Sequence, residues 1–543
     1  MSERTFAQDL DFQTTVQEYI KAGYQILFIP TTEEARVEHE LRELAQRLNK
    51  AAGPGMGFVC WDCRVGFSTL APDSPDAQLL KNAANAVDAV VAKESQFVGN
   101  AIFHFKDLLA FQNDVNLRRV LRNISEGNMA VNQQWRRPII ISGVQDNIHE
   151  EIKAGLTSVD FKLPDDTAIQ HIVDTMTRGL PDTCVRDSSQ VLRDTTVSAL
   201  RGLTSAEVEN TLSLCIVRHQ GFIPAILPTI RDEKSRIVKK SEVLTYIPES
   251  LQASREEIGG FQNLLKYIDR RKLAYTPAAR AVNLDYPKGI VLAGTPGTGK
   301  SFVAKAIARL LGLPGYILDV SAVFGSLVGQ SEARMRGALR TVEAQQGCVL
   351  LIDEADKVLS GASDSHGDSG VTRRIFGQLL TWLAEKRDRT FVIVTLNRIQ
   401  GIPTEFFRAG RFDALFWTDM PNAADREAIL KIHLQKRGVN PESLDMGPAE
   451  WQDLVSRTEN FVGAELEELI TEARYLAFEN RQSGTPTLEE FFAAKASIIP
   501  LSQLDAAGIA AIREYCQGRM RPVGEDNSAS RKRRTAQRTI SMQ

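Results

Sequence analysis

The chain of 543 residues is long enough for three or four domains of about 150 residues, or for two large ones. Hydrophobic residues make up 43% and charged residues 24%, which excludes a wholly disordered protein, a collagen-like fibre and a small disulfide scaffold. The 65 lysines and arginines against 68 aspartates and glutamates leave a formal net charge of −3. This balance argues against a protein that coats nucleic acid by its overall charge.

The first residues, MSERTFAQDLDF, lack the basic start and apolar core of a signal peptide, and no run is apolar and long enough to span a membrane. We therefore expect a reducing, cytoplasmic compartment. Cys60 and Cys63 form a CxxC without a second pair at zinc spacing, and we interpret them as residues in or near a buried strand.

Apolar runs typical of strands alternate with helical patterns along most of the chain, which predicts α/β domains with parallel sheets. In the first half these runs are 24–31, 58–62, 101–105 and 138–144, and in the second half 289–294, 316–321, 348–354 and 391–397.

The two halves are alike in the order of their segments, which suggests two copies of one architecture. Pro164 and Pro421 are 257 positions apart, and Ala206 and Ala464 are 258 apart. The polar stretch 231–257 between the halves predicts a linker, so the first domain is expected over 1–230.

The sequence GTPGTGKS (294–301) follows an apolar run and precedes a helical pattern, as in a P-loop. Its glycines let backbone N–H groups surround a phosphate at the start of a helix. Lys300 would reach the β- and γ-phosphates, and the Ser301 hydroxyl would bind Mg²⁺. The residues predicted to bind the nucleotide here are Thr295, Pro296, Gly297, Thr298, Gly299, Lys300, Ser301 and Phe302.

The ends of two later strands carry the residues expected to act on the phosphate. CVLLIDE ends in Asp353, a predicted Mg²⁺ ligand, and Glu354, which would polarise the attacking water. FVIVTLN ends in Asn397, which could position that water; a strand-capping amide is the alternative.

Arg408 and Arg411 follow in the stretch TEFFRAGRFD. Guanidinium groups suit bidentate recognition of phosphate oxygens. We expect them to reach a γ-phosphate across a subunit boundary, as arginine fingers, with surface arginines in a loop as the alternative.

These motifs, in this order and spacing, resemble an AAA+ ATPase. IGGF (258–261) and FVGAEL (461–466) are similar to the branch of protein unfoldases and metalloprotease-linked ATPases. The resemblance implies that Ile258, Gly259, Gly463 and Ala464 contact the adenine nucleotide, that ATP and Mg²⁺ are the cofactors, and that a P-loop α/β core is followed by a C-terminal helical lid.

A closer resemblance is to the family of hypothetical chloroplast open reading frame forty-six, with members in cyanobacteria, algal plastids and other bacteria. It rests on VFGSLVGQSEARMR (323–336), on 367–386, on IIPLSQ and on the opening segment 20–44, and it covers roughly 15–515. A plastid-encoded member would be located in the stroma.

The first half resembles an AAA+ copy that has lost its chemistry. Its first strand runs into TTEEARVE without a Gly-rich loop, and Lys106 and Asp107 stand where the second half has Asp353 and Glu354. We interpret it as a degenerate α/β domain used for assembly or partner binding.

The predicted pore loop carries Leu327, Val328 and Gly329 where polypeptide-translocating relatives have an aromatic residue, and Phe324 is displaced. The chain has no HExxH motif, so no metalloprotease is expected. The segment 360–370 is short and polar and predicts a mobile loop.

The expected organisation is a core over 258–420, a lid over 421–516 and a disordered basic tail over 517–543. From Arg519 onward the charge is +5, and the preceding chain carries −8. The leading hypothesis is a homo-oligomeric ring, a hexamer, that remodels a protein partner. No membrane is expected among its partners. A nucleic-acid motor acting through the tail, or an ATP-gated scaffold with little turnover, are the alternatives.

Overall fold

The computed structural model describes residues 9–50, 56–69, 85–95, 99–127, 137–144, 148–181, 183–187, 189–239, 243–324, 330–345, 347–359 and 369–524. The chain divides into two compact units with the boundary after Lys234. The predicted pore-loop residues 327–329, most of the polar loop 360–370 and the basic run 531–534 lie outside the described residues.

The sheet of the first unit is built from β1 (Ile26–Pro30), β2 (Met56–Asp62), β3 (Gly66–Thr69), β4 (Asn100–Lys106), β5 (Ile139–Gly143) and β6 (Thr157–Ser158). Their order is β3-β2-β4-β5-β1-β6. Neighbours are parallel except β2 and β3. The inner strands are apolar on both faces, as expected for a parallel sheet covered by helices. Cys60 is buried in β2, as predicted, whereas Cys63 is exposed in the turn that follows.

The first unit's helices are α1 (Leu10–Ala22), α2 (Glu34–Lys50), α3 (Ala86–Ser95), α4 (Val115–Ser125), α5 (Glu150–Lys153), α6 (Asp166–Arg178), α7 (Gln190–Leu200), α8 (Ser205–His219) and α9 (Ile226–Lys239). The last four form a helical part that follows the sheet, with the short parallel pair β7 (Val185–Arg186) and β8 (Gly221–Phe222) beside them.

The sheet of the second unit is built from β9 (Leu244–Tyr246), β10 (Gly289–Gly294), β11 (Gly315–Leu318), β12 (Val349–Ile352), β13 (Phe391–Leu396), β14 (Ala414–Thr418) and β15 (Arg521–Pro522). Their order is β15-β14-β10-β13-β12-β11-β9, and neighbours are parallel except β11 and β9. Apolar clusters cover both faces.

The second unit's helices are α10 (Gln262–Lys272), α11 (Pro277–Ala281), α12 (Lys300–Leu311), α13 (Val320–Phe324), α14 (Gln330–Ala344), α15 (Asp356–Leu359), α16 (Ser369–Glu385), α17 (Ala423–Lys436), α18 (Pro448–Arg457), α19 (Gly463–Arg481), α20 (Leu488–Ser497), α21 (Leu501–Leu504) and α22 (Ala506–Cys516). Helices α17 to α20 share an apolar core of their own and form the lid.

The two units repeat one architecture, as predicted. The order β6-β1-β5-β4-β2-β3 of the first sheet corresponds to β14-β10-β13-β12-β11-β9 of the second, with an antiparallel strand at the same edge. The first helix after each sheet begins with a side-chain cap: Asp165 accepts from Ala168 N–H, and Asn422 accepts from Asp425 N–H. Those caps are 257 positions apart, so the repeat seen in the sequence is a repeat of structure.

The prediction of a linker over 231–257 needs correction. Helix α9 continues to Lys239, and β9 pairs with β11 at the edge of the second sheet. Ile247 is fully buried, and its N–H donates to the Gly315 carbonyl at 2.8 Å. The polar composition of the stretch concealed the alternating apolar residues Leu244 and Tyr246, which form the strand.

The prediction of disorder from residue 517 onward also needs correction. Arg521 and Pro522 form β15 beside β14, and Met520 and Val523 are buried. Pairing with β14 and the burial of these two apolar side chains hold the segment on the sheet. Residues 525–543 lie outside the described part of the chain.

Candidate functional site

The loop between β10 and α12 has the geometry of an anion cradle. Gly294, Gly297 and Gly299 have positive φ angles of 147°, 75° and 88°. A Cβ at Gly294 would collide with the Thr418 carbonyl, and one at Gly297 would lie 2.9 Å from Val462. No side chain caps the start of α12, so its first N–H groups remain available to an anion.

Lys300, the first residue of α12, is buried, and its amine is held inside the loop. Its Nζ donates to the carbonyl oxygens of Gly294 and Thr295, each at 2.8 Å. Burial lowers the pKa of Lys300 to about 8, although Asp356 and Asp353 act in the opposite direction. Thr295, whose carbonyl is one of the two acceptors of the Lys300 amine, is itself buried.

Ser301 and Asp353 bring two oxygen atoms together at the carboxyl end of β12. The Ser301 hydroxyl donates to Asp353 Oδ1 at 2.7 Å, and the Thr395 hydroxyl donates to the same oxygen at 2.5 Å. A hydroxyl and a carboxylate suit Mg²⁺, which prefers oxygen ligands and retains several waters. The pair therefore fits the predicted metal site.

Glu354 is held in a left-handed backbone conformation, with φ of 49°. Its N–H donates to Thr395 Oγ1 at 2.8 Å, and its carboxylate accepts from the Asn397 amide at 3.1 Å and pairs with Lys357. Such a conformation is unfavourable for a residue with a side chain and persists where the surroundings impose it. The predicted base and the predicted water-positioning amide are thus in direct contact.

These residues surround a cavity of about 350 Å³ between the core and the lid. Of the twelve residues predicted to bind the nucleotide, all except Thr295 line it; Glu354 and Asn397 line it as well. Ala464, at the start of α19, donates its N–H to the Gly297 carbonyl at 3.1 Å. The lid therefore rests directly on the loop.

Several lining residues were not predicted from the sequence: Glu257, Phe261, Ile429, Ile432, His433, Lys436 and Glu467. One face of α17 carries residues 429, 432, 433 and 436. This helical spacing is the signal in the sequence that could have identified them. Lys436 joins lid to core, because its amine lies 3.3 Å from the Glu257 carboxylate and 4.6 Å from the centre of the Phe302 ring.

Arg408 and Arg411 do not line the cavity of their own chain. Arg408 is exposed and pairs with Glu405 at 3.5 Å, and Arg411 donates to the Glu405 carbonyl. The structure therefore separates both predicted fingers from the other candidate catalytic residues within one chain.

In the first unit, the helix that follows the first long strand begins with an acidic residue, whereas the corresponding helix of the second unit begins with a basic one. Helix α2 begins with Glu34, whereas α12 begins with Lys300. Glu38, one turn later, accepts from Lys106 at 2.7 Å. Asp107, which follows β4, has φ of 52°, close to the 49° of Glu354, which follows β12. Burial and the nearby Asp107 raise the pKa of Glu34, and these carboxylates disfavour a triphosphate.

Four family models match the chain. The model of the ATPase family associated with various cellular activities (AAA) matches residues 290–420, and the AAA+ lid domain matches 449–491. The N-terminal and second domains of SpoVK-like AAA ATPases match 12–161 and 167–241. Among the described residues there is no helix with the length and apolar character needed to cross a membrane.

Similar proteins include two relatives, each called uncharacterized AAA domain-containing protein ycf46. That of Trieres chinensis is 32% identical over 504 residues, which are 92% of this chain and 96% of the relative. That of Pyropia yezoensis is 31% identical over 519 residues, 94% and 99% of the two chains. The ATP-dependent zinc metalloprotease FtsH 4 of a Synechocystis species is 32% identical over 239 residues, 43% and 36% of the two chains.

Proposed function

Because the chain belongs to the AAA ATPases, and among them to the ycf46 family, we propose that it hydrolyses ATP and couples hydrolysis to the remodelling of a protein partner. The observation that carries this proposal is the meeting of Lys300, Ser301, Asp353, Glu354 and Asn397 around the cavity between core and lid.

Each residue would have a separate task in hydrolysis. Lys300 would bind the β- and γ-phosphates, and Ser301 and Asp353 would hold Mg²⁺, which neutralises phosphate charge when bound. Glu354 would polarise the attacking water, with its carboxylate fixed by Asn397. Purified protein should therefore release phosphate from ATP only when Mg²⁺ is present, and the absence of any such release would overturn the proposal.

We propose further that the chain acts as a hexameric ring. Arg408 and Arg411 do not line their own cavity, as expected of residues that complete a neighbouring subunit's site. Since Ala464 contacts the loop and Lys436 contacts Phe302, loss of the phosphate would alter both contacts and change the angle between lid and core. That movement would transmit work to the partner.

The pH dependence of binding tests the role of Lys300. Because phosphate favours the charged amine, ATP binding should raise the Lys300 pKa from about 8, so protons are taken up above pH 8. ATP affinity should fall by up to about tenfold per pH unit above pH 8. Calorimetric titration at pH 8.5 in two buffers with different ionisation heats should show uptake of up to about three quarters of a proton. Phosphate is already fully ionised there, and the absence of uptake would contradict this role.

A substrate trap identifies the partner and separates the alternatives. Glu354→Gln should retain a protein partner in an ATP-dependent, nuclease-resistant manner, because it binds ATP without turning it over. Lys300→Ala is the matched control and should retain nothing, since it cannot hold the triphosphate. If nuclease treatment abolishes the capture of a partner, the result would favour a nucleic-acid motor. If rings assemble in the presence of ATP but capture no partner, the result would favour a scaffold.

A further inference from the structure

Residues 519–524, which we call the C-terminal strap, lie along the edge of the second unit's sheet. Arg521 and Pro522 form β15, and the Val523 N–H donates to the Trp417 carbonyl at 3.1 Å. Met520 and Val523 are 8% and 6% exposed, each in an apolar cluster of the core. The strap is therefore an integral part of the ATPase core.

The strap supplies the cap of helix α10. Phe261, which precedes the helix, makes no side-chain capping bond, so the first N–H groups of α10 need other acceptors. The Val523 carbonyl accepts from the N–H of Asn263 at 2.8 Å and from that of Leu264 at 3.2 Å. The Asn263 amide in turn donates to the Gly524 carbonyl at 2.5 Å. Backbone carbonyls distant in sequence thus replace the usual side-chain cap.

The residues just before α10 form one wall of the nucleotide cavity, since Ile258, Gly259 and Phe261 line it. Both the lid and the strap pack against this wall. A Cβ on Gly259 would lie 3.1 Å from Ile429 of the lid, and a Cβ on Gly524 would lie 3.2 Å from the Gly260 carbonyl. Displacement of the strap would therefore remove one of the two elements that hold the wall in place.

We infer that the strap is a positioning element for the nucleotide: it caps α10, holds the 258–261 wall in place, and thereby sets nucleotide affinity. The inference rests on the proposed ATP binding. It assigns a role in that binding to a segment that contributes no residue to the lining of the cavity. The basic residues 531–534 follow the strap within ten positions. The charged tail is thus joined directly to an element that controls the cavity.

Two truncations test the strap against the tail. A chain that ends at Gly524 keeps the strap and should bind a fluorescent ADP analogue as tightly as the full chain. A chain that ends at Gly518 lacks the strap and should bind it at least about fivefold more weakly, within the range for loss of a helix cap. Circular dichroism and gel filtration would establish that each truncated chain is folded.

A point variant keeps the test decisive if the shorter chain does not fold. Asn263→Ala removes only the side-chain amide that donates to the Pro522 and Gly524 carbonyls, and it should weaken ADP binding about threefold. Asn440→Ala is the matched control, because Asn440 caps a short turn of the lid and does not line the cavity; it should leave binding unchanged. Unchanged binding in every folded strap variant would overturn the inference, whereas failure of the full chain to bind ADP would overturn the proposed function instead.

Discussion

Replacing Glu354 by glutamine is expected to lower ATP turnover at saturating ATP by at least about 100-fold, the contribution of a general base. Glutamine has nearly the same shape and can still accept the hydrogen bond that Asn397 donates to Glu354 at 3.1 Å. It cannot accept a proton from water. ATP binding, measured by equilibrium titration, should stay within about twofold, so the loss should appear in kcat and not in KM.

The first unit provides a matched control for this substitution. Asp107 follows the corresponding strand and has φ of 52°, against 49° for Glu354. Asp107→Asn makes the same carboxylate-to-amide change at the same backbone conformation, but beside Glu34 instead of a P-loop lysine. Turnover should be unchanged in that variant. Retained turnover in Glu354→Gln, or a comparable loss in Asp107→Asn, would contradict the assignment of Glu354 as the base.

The centre of the site was predictable because its residues belong to short local motifs at the ends of strands. Asp353 and Asn397 each end an apolar run, and the carboxyl ends of parallel strands lie at one edge of a sheet. The contact between Glu354 and Asn397 then follows from the adjacency of β12 and β13. The left-handed conformation of Glu354 has no counterpart in the sequence pattern; in the structure its N–H donates to Thr395 of the neighbouring strand β13.

The lid side of the cavity was less predictable because it depends on how distant elements approach each other. The spacing of Ile429, His433 and Lys436 shows that they share a helical face, but such a face is equally typical of a helix that packs on a core. Their position at the cavity follows from the contact between Ala464 and Gly297, which joins lid and loop. The sequence resemblance located that contact only through Gly463 and Ala464.

The edges of the second sheet were missed for a different physical reason. Strands β9 and β15 contain three and two residues and lie in polar or charged stretches. Their conformation is determined by pairing with β11 and β14 and by burial of a few apolar side chains, such as Ile247 and Val523. Propensity within a short window cannot report pairing that is specified by the partner strand.

Replacing Arg411 by alanine is expected to lower turnover by about 1,000-fold, the lower end of the range for arginine fingers. Nucleotide binding by the same variant should change far less than turnover, because every cavity keeps its own P-loop contacts and an arginine finger acts mainly on the charge of the transition state. Arg411→Lys should also be strongly impaired, since lysine lacks the planar fork that binds two phosphate oxygens. Turnover and equilibrium binding of ATP, measured on the same preparation, check both statements.

Mixing variants determines whether the site is shared between subunits. In a random equal mixture of Arg411→Ala and Lys300→Ala subunits, about a quarter of the interfaces would combine an intact cavity with an intact arginine from the neighbour. Turnover should therefore recover toward about a quarter of the value for the unmodified protein, although each variant alone is inactive. This fraction does not depend on the number of subunits in the ring. The absence of recovery at every mixing ratio, with mixed assembly verified by differently tagged subunits, would show that Arg411 acts within its own chain.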